Sequence, residues 1–108
     1  MSTPIATPAE TNTVYVTNLN EEHDFTAAER WGELVFVTKG YTILSDLDKL
    51  EKKLQTHVDK SQPTDFIVLS GANILCSMFV LLWQKKHGYV NILHFSKKSK
   101  QYEHYVIR

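Results

Sequence analysis

DFIVLSGANILCSMFVLLWQKKHG, residues 65–88, is the stretch whose reading decides the fold. From Phe66 to Gln84 it carries no charge, so the first question is whether it crosses a membrane. A spanning helix needs about 20 consecutive, predominantly apolar residues. Here Ser70, Gly71, Asn73 and Ser77 interrupt the run, and the helical part alone is too short. The stretch therefore reads as two elements. FIVL, residues 66–69, follows a proline loop and is apolar at every position, the pattern of a strand covered on both faces. Ser70-Gly71 breaks it, and a helix is expected from Ala72 to Lys86, with Ser70 or Asn73 as its cap. Gly88 then serves as the residue beyond the helix end, behind Lys85, Lys86 and His87, where positive charge suits the helix dipole.

Working outward, VYVT (14–17) predicts a first strand, ending in the turn-forming NLNEEHD. TAAERW (26–31) predicts a helical turn in which Thr26 and Glu29 form a capping box, stopped by Gly32. ELVFVT (33–38) is a second strand, after which Lys39-Gly40 turns the chain. Ser45 is expected to cap the helix DLDKLEKKLQTHVDK, whose Leu47, Leu50, Leu54 and Val58 fall on one face at helical spacing. After Gly88, YVNILHF and YEHYVI flank the turn KKSKQ and predict a C-terminal hairpin. Strands alternating with helices imply a parallel sheet. The expected fold is a small α/β domain with a Rossmann-like or flavodoxin-like sheet of about five strands, mostly parallel. The hairpin adds an antiparallel edge.

The chain has 108 residues, enough for one domain with a single core. A tail over residues 1–12, rich in Pro, Thr and Ser, is expected to be disordered, leaving residues 13–108 as the domain. The start lacks the basic and apolar regions of a signal peptide, and Cys76, the only cysteine, excludes an internal disulfide. A soluble, cytoplasmic protein is expected. Formal net charge is zero, yet residues 1–64 hold ten acidic and six basic side chains while residues 65–108 hold two and six. That polarity suggests an oriented surface or a self-complementary partner.

The runs HDFTAAERWGELVFVTKG and KKHGYVNILHF, with DFIVLSG between them, resemble a type of short protein encoded in bacteriophage genomes. The likeness covers about residues 14–108 and brings no catalytic motif with it. It implies action in a bacterial host's cytoplasm, as an accessory or host-directed factor.

SGAN (70–73) stands at the carboxyl end of a parallel strand and at a helix N-terminus, where open α/β sheets bind anionic ligands. Asn18, His23, Asp24, Lys39, Ser70, Gly71 and Asn73 are the candidate ligand-binding residues. Against this, no glycine-rich phosphate motif is present, and a plain turn with Ser70 or Asn73 capping the helix is the preferred reading of the loop. Catalytic residues and cofactors are not expected. His23-Asp24 are neighbours in sequence only, and Cys76 falls inside a buried helix. His94 and His104 could face each other across the hairpin, but without a third ligand no metal site results. Lys97, Lys98, Lys100 and Arg108, with Lys85 and Lys86, could contact nucleic-acid phosphates, and Tyr102 and Tyr105 could stack on bases. Lysines in a hairpin turn are also ordinary solvated groups that guard an edge strand.

The helix after SGAN gives the clearest expectation. It is apolar all round, so it needs a cover on two sides. Leu75, Met78, Phe79 and Leu82 share one face, while Cys76, Val80 and Trp83 lie toward another. The sheet covers one side, and Trp31's segment or a second copy covers the other. Trp31, Cys76, Phe79, Val80 and Trp83 are therefore the candidate interface of a homodimer. The function expected is a non-enzymatic protein-interaction module acting as a homo-oligomer, with a host protein as a possible partner. A small anionic ligand such as a nucleotide is the alternative, and nucleic-acid binding by the hairpin comes third.

Overall fold

The computed structural model describes residues 12–40 and 45–108. The expected tail lies outside them apart from Asn12. Five strands form one sheet: β1 (Thr13–Leu19), β2 (Glu33–Lys39), β3 (Phe66–Val68), β4 (Val90–Ser96) and β5 (Gln101–Ile107). A 3-10 helix (Thr26–Trp31) joins β1 to β2, α1 (Leu47–Lys60) joins β2 to β3, and α2 (Asn73–His87) joins β3 to β4. Strand order is β2-β1-β3-β4-β5. The first four strands are mutually parallel, and β5 runs antiparallel to β4 through seven residue pairs.

Alternation along the strands builds two cores. Tyr15, Val37, Ile67, Val90 and Ile92 face α1 and α2 and pack with Leu50, Leu54, Val58, Leu75, Phe79 and Trp83. Val14, Val16, Phe66, Val68, Leu93 and Tyr102 point the other way, against Phe25 and Ala28 of the 3-10 segment. The crossovers explain this segregation. The steps from β2 to β3 and from β3 to β4 run in one direction across the sheet, so crossovers of one hand put both helices on one face. The step from β1 to β2 runs the opposite way and uses the other face.

Several local expectations are corrected. β3 is three residues long, and Leu69 has already left the sheet into solvent. Ser45 does not cap α1: Asp46 does, its carboxylate accepting from the Lys49 N–H at 3.0 Å. The 3-10 helix has no capping box, because the Thr26 N–H is taken by Asp24 at 2.9 Å and the Thr26 hydroxyl turns to the same carboxylate. Neither Ser70 nor Asn73 caps α2, whose N-cap is Ala72 with no side-chain bond. Gly88 does close α2, in the left-handed conformation at φ 86°. His94 and His104 do not meet: their partners are Glu103 and Leu93, so the two imidazoles lie on opposite faces of the hairpin.

The interface residues expected on α2 are redistributed. Leu75, Phe79 and Trp83, spaced at i, i+4 and i+8, are fully buried in the chain's own core. Phe79 and Trp83 thus cannot anchor a partner. Cys76 and Val80 are half-buried, Val80 packing against that core. Trp31 does not cover α2 at all. It lies across the sheet, its ring 5.3 Å from Phe66 and 5.9 Å from His104. The outward face of α2 carries Ile74 and Leu81, exposed by 49% and 68%.

Candidate functional site

Strands β1, β2 and β3 bring Thr17-Asn18, Thr38-Lys39 and Ser70-Gly71 together at their carboxyl ends. Parallel pairing with Asn18 opposite Thr38 makes this the natural place to look for a site. Its polar groups are turned on one another. The Ser70 N–H donates to the Thr17 hydroxyl at 2.7 Å, and that hydroxyl donates to the Ser70 carbonyl at 2.6 Å. Thr38 Oγ1 lies 2.7 Å from the Thr17 carbonyl and 2.8 Å from Asn18 Oδ1. The Cys76 thiol donates to the same Ser70 carbonyl. Gly71 closes the knot: its φ is +96°, and a Cβ there would stand 2.8 Å from the Asn18 Cβ. Thr17, Asn18 and Thr38 are buried. These bonds tie β1, β2 and the start of α2 together.

The remaining candidates scatter. Lys39 lines a shallow depression of about 690 Å³ with Asn18, Leu19, Asn20, Glu21, Glu22 and Gly40. Two carboxylates face its single ammonium, which disfavours an anion. His23 and Asp24 line a different depression, about 660 Å³, between the 3-10 helix and β2. Its floor is Leu19, Phe25, Leu34 and Phe36, and Glu29 and Glu33 join Asp24 at its rim. Hydrogen bonds from Thr26 hold the Asp24 carboxyl below the usual range. Asn73 is exposed on the first turn of α2. The seven expected ligand-binding residues therefore do not converge on one pocket.

Nor do the basic residues form one surface. Lys97, Lys98 and Lys100 are exposed in the hairpin turn. Arg108 follows Ile107, which pairs with Val90, and so lies at the far end of the hairpin. Lys86 is occupied elsewhere. Its ammonium donates to the carbonyls of Val58 at 2.9 Å, Asp59 at 2.8 Å and Ser61 at 3.3 Å, closing the C-terminus of α1. Tyr102 is buried edge-on to Phe95 and offers no open face for a base. Among the described residues no three His, Cys, Asp or Glu side chains gather to hold a metal, and no helix is long and apolar enough to cross a membrane.

Two features escaped the sequence reading. The hydroxyls of Thr17 and Thr38 close the two strand ends VYVT and VFVT, a shared pattern that signals side-by-side strands with a common polar finish. The second is β5, where Tyr105, Val106 and Ile107 stand in succession about half-exposed on an outermost strand. Residues 8–108 match the protein-family model described as phage Pam3 gp32-like protein. The chain belongs to the phage Pam3 gp32-like family. That membership establishes the phage association expected from the sequence and extends it over the whole described fold. No curated protein and no solved structure matches the chain.

Proposed function

We propose that this member of the phage Pam3 gp32-like family works by binding another macromolecule, as a self-associating accessory or host-directed factor in the host cytoplasm. One observation carries the reading. The Thr17 and Thr38 hydroxyls, Asn18 Oδ1 and the Ser70 backbone bond one another at the strand carboxyl ends, while exposed apolar side chains stand on α2 and β5. An α/β protein that processes a small ligand needs unpaired polar groups converging at that edge. One that binds a macromolecule needs accessible apolar area with a polar surround.

Sedimentation velocity across a concentration series, paired with a thermal-shift screen of nucleotides, tests this. Association that rises with concentration and an unmoved melting temperature are expected. A melting temperature raised by a nucleotide would favour the small-ligand reading instead, because a bound ligand stabilises the folded state by mass action. Lys39, the single ammonium in its depression, is the residue that reading depends on. The exposed Lys97, Lys98 and Lys100 turn supports the third reading, nucleic-acid binding. Its mark is affinity that falls with salt and with replacement of those lysines.

A further inference from the structure

β5 is the outermost strand of the sheet and bonds to β4 alone, so along its free side the backbone N–H and C=O groups have no strand partner. Soluble proteins usually blunt such an edge with a lysine, a proline, a bulge or a very short strand. Glu103 is the one Asp, Glu, Lys or Arg side chain on β5, and none of these devices protects its C-terminal half. From Gln101 to Ile107 it has neither lysine nor proline, and its register against β4 is unbroken over seven pairs. The lysines sit in the turn beyond it. Its C-terminal half carries Tyr105, Val106 and Ile107 in succession, exposed by 51%, 45% and 55%.

Pairing two identical strands about a two-fold axis perpendicular to the sheet matches each face with itself. With Val106 on the axis, Tyr105 stands opposite the second copy's Ile107, twice, on one face. On the other, Val106 stands opposite Val106. Aromatic and β-branched pairs of this kind stabilise antiparallel strands. A second copy can thus match these three residues on both faces, in a register that also sets His104 opposite the copy's Arg108.

We propose that a second copy of this chain adds its β5 antiparallel to this edge about an axis at Val106, joining two five-stranded sheets into one. This deepens the self-association reading above and rests on it. It places the interface on the strand edge instead of on the outer face of α2.

The axis supplies the test, because a residue on it faces its own copy. Val106→Lys and Val106→Glu, each exposed in the single chain, should fold normally yet weaken self-association about tenfold or more through like-charge apposition. Mixing the two variants should restore a dimer by pairing Lys with Glu. Hydrogen exchange should show protection of β5 amides that rises with protein concentration in the unmodified chain and is lost in either variant alone. Leu81→Lys, on the outer face of α2, should leave association unchanged. Loss of the dimer in Leu81→Lys but not in the Val106 variants would overturn the edge pairing while leaving self-association standing. Weakening in both Val106 variants without rescue on mixing would overturn the two-fold axis. A monomer at several hundred micromolar would overturn the edge pairing and the self-association reading together.

Discussion

At the residue scale, position matters more than chemical type. Lys86 reads as one of a basic pair near a helix end, yet its ammonium donates to the carbonyls of Val58, Asp59 and Ser61 where α1 ends. Lys86→Met keeps the aliphatic stem and removes that cap, and should cost about 1–3 kcal/mol in urea denaturation. Lys85→Met, on an exposed neighbour, should cost almost nothing. Lys100 is the opposite case. It closes the hairpin turn at φ 62°, a conformation that costs a residue with a Cβ roughly 1 kcal/mol or more. Lys100→Gly should therefore raise the unfolding free energy by about 0.5–1 kcal/mol, measured by the same denaturation. A fall would mean that the lysine side chain makes a stabilising contact that outweighs the strain.

At the scale of elements, α2 shows why a helix with apolar residues on every side need not have two equal faces. Its contact with the sheet and α1 selects Leu75, Phe79 and Trp83, and the rest of the surface stays partly or wholly open. Phe79→Ala should cost about 3–5 kcal/mol because it empties a fully buried site. Leu81→Ala should change stability by less than about 0.5 kcal/mol. Comparable losses at both positions by thermal or urea unfolding would mean that Leu81 is covered in solution. The junction of α1 and α2 also makes the fold sensitive to acid. Burial, with Lys60 and Lys53 nearby, holds His57 below the ordinary imidazole value of 6.5. Burial and Lys86 do the same to His87, with Asp65 opposing. The unfolded chain then binds protons more readily than the folded one, so this stability is complete above the unfolded value and is lost as pH falls through the folded ones. The urea midpoint should drop between about pH 7 and pH 5, and His57→Gln with His87→Gln should flatten that drop.

At the scale of the whole molecule, the two ends of the sheet are tied off differently. At the amino ends, Asp65 accepts from the Thr13 and Gln62 N–H groups at 2.9 and 2.8 Å, and Asn91 bonds the Pro63 carbonyl and His104. At the carboxyl ends, Thr17 joins Ser70 to β1. Thr17→Val keeps the shape but removes a buried hydroxyl that serves both the N–H and the C=O of Ser70. It should lower stability by about 1–3 kcal/mol and leave oligomeric state unchanged in sedimentation. A Thr17→Val chain of normal stability would mean that water replaces the hydroxyl and the knot is open enough to admit a ligand.

The sequence by itself determined the elements and their order, because periodicity and chain breakers are local signals. A short apolar strand from Phe66 followed by a break and a helix, Leu50, Leu54 and Val58 on one face of α1, and Gly88 past the end of α2 are all legible along the chain. Leu69 and Leu47 read as part of that strand and of that face, yet both stand exposed. The phage association was legible too, in runs that recur as pattern. Only the tertiary structure decided what those elements do to each other. Which arc of α2 is buried depends on where the sheet and α1 lie, and Trp31 goes to the opposite face because the first crossover runs the other way. The candidate ligand residues end as a closed knot and two separate depressions because their hydrogen-bond partners lie 20 to 53 residues away in sequence. Periodicity reports what each segment buries. It carries no record of which distant segment supplies the cover.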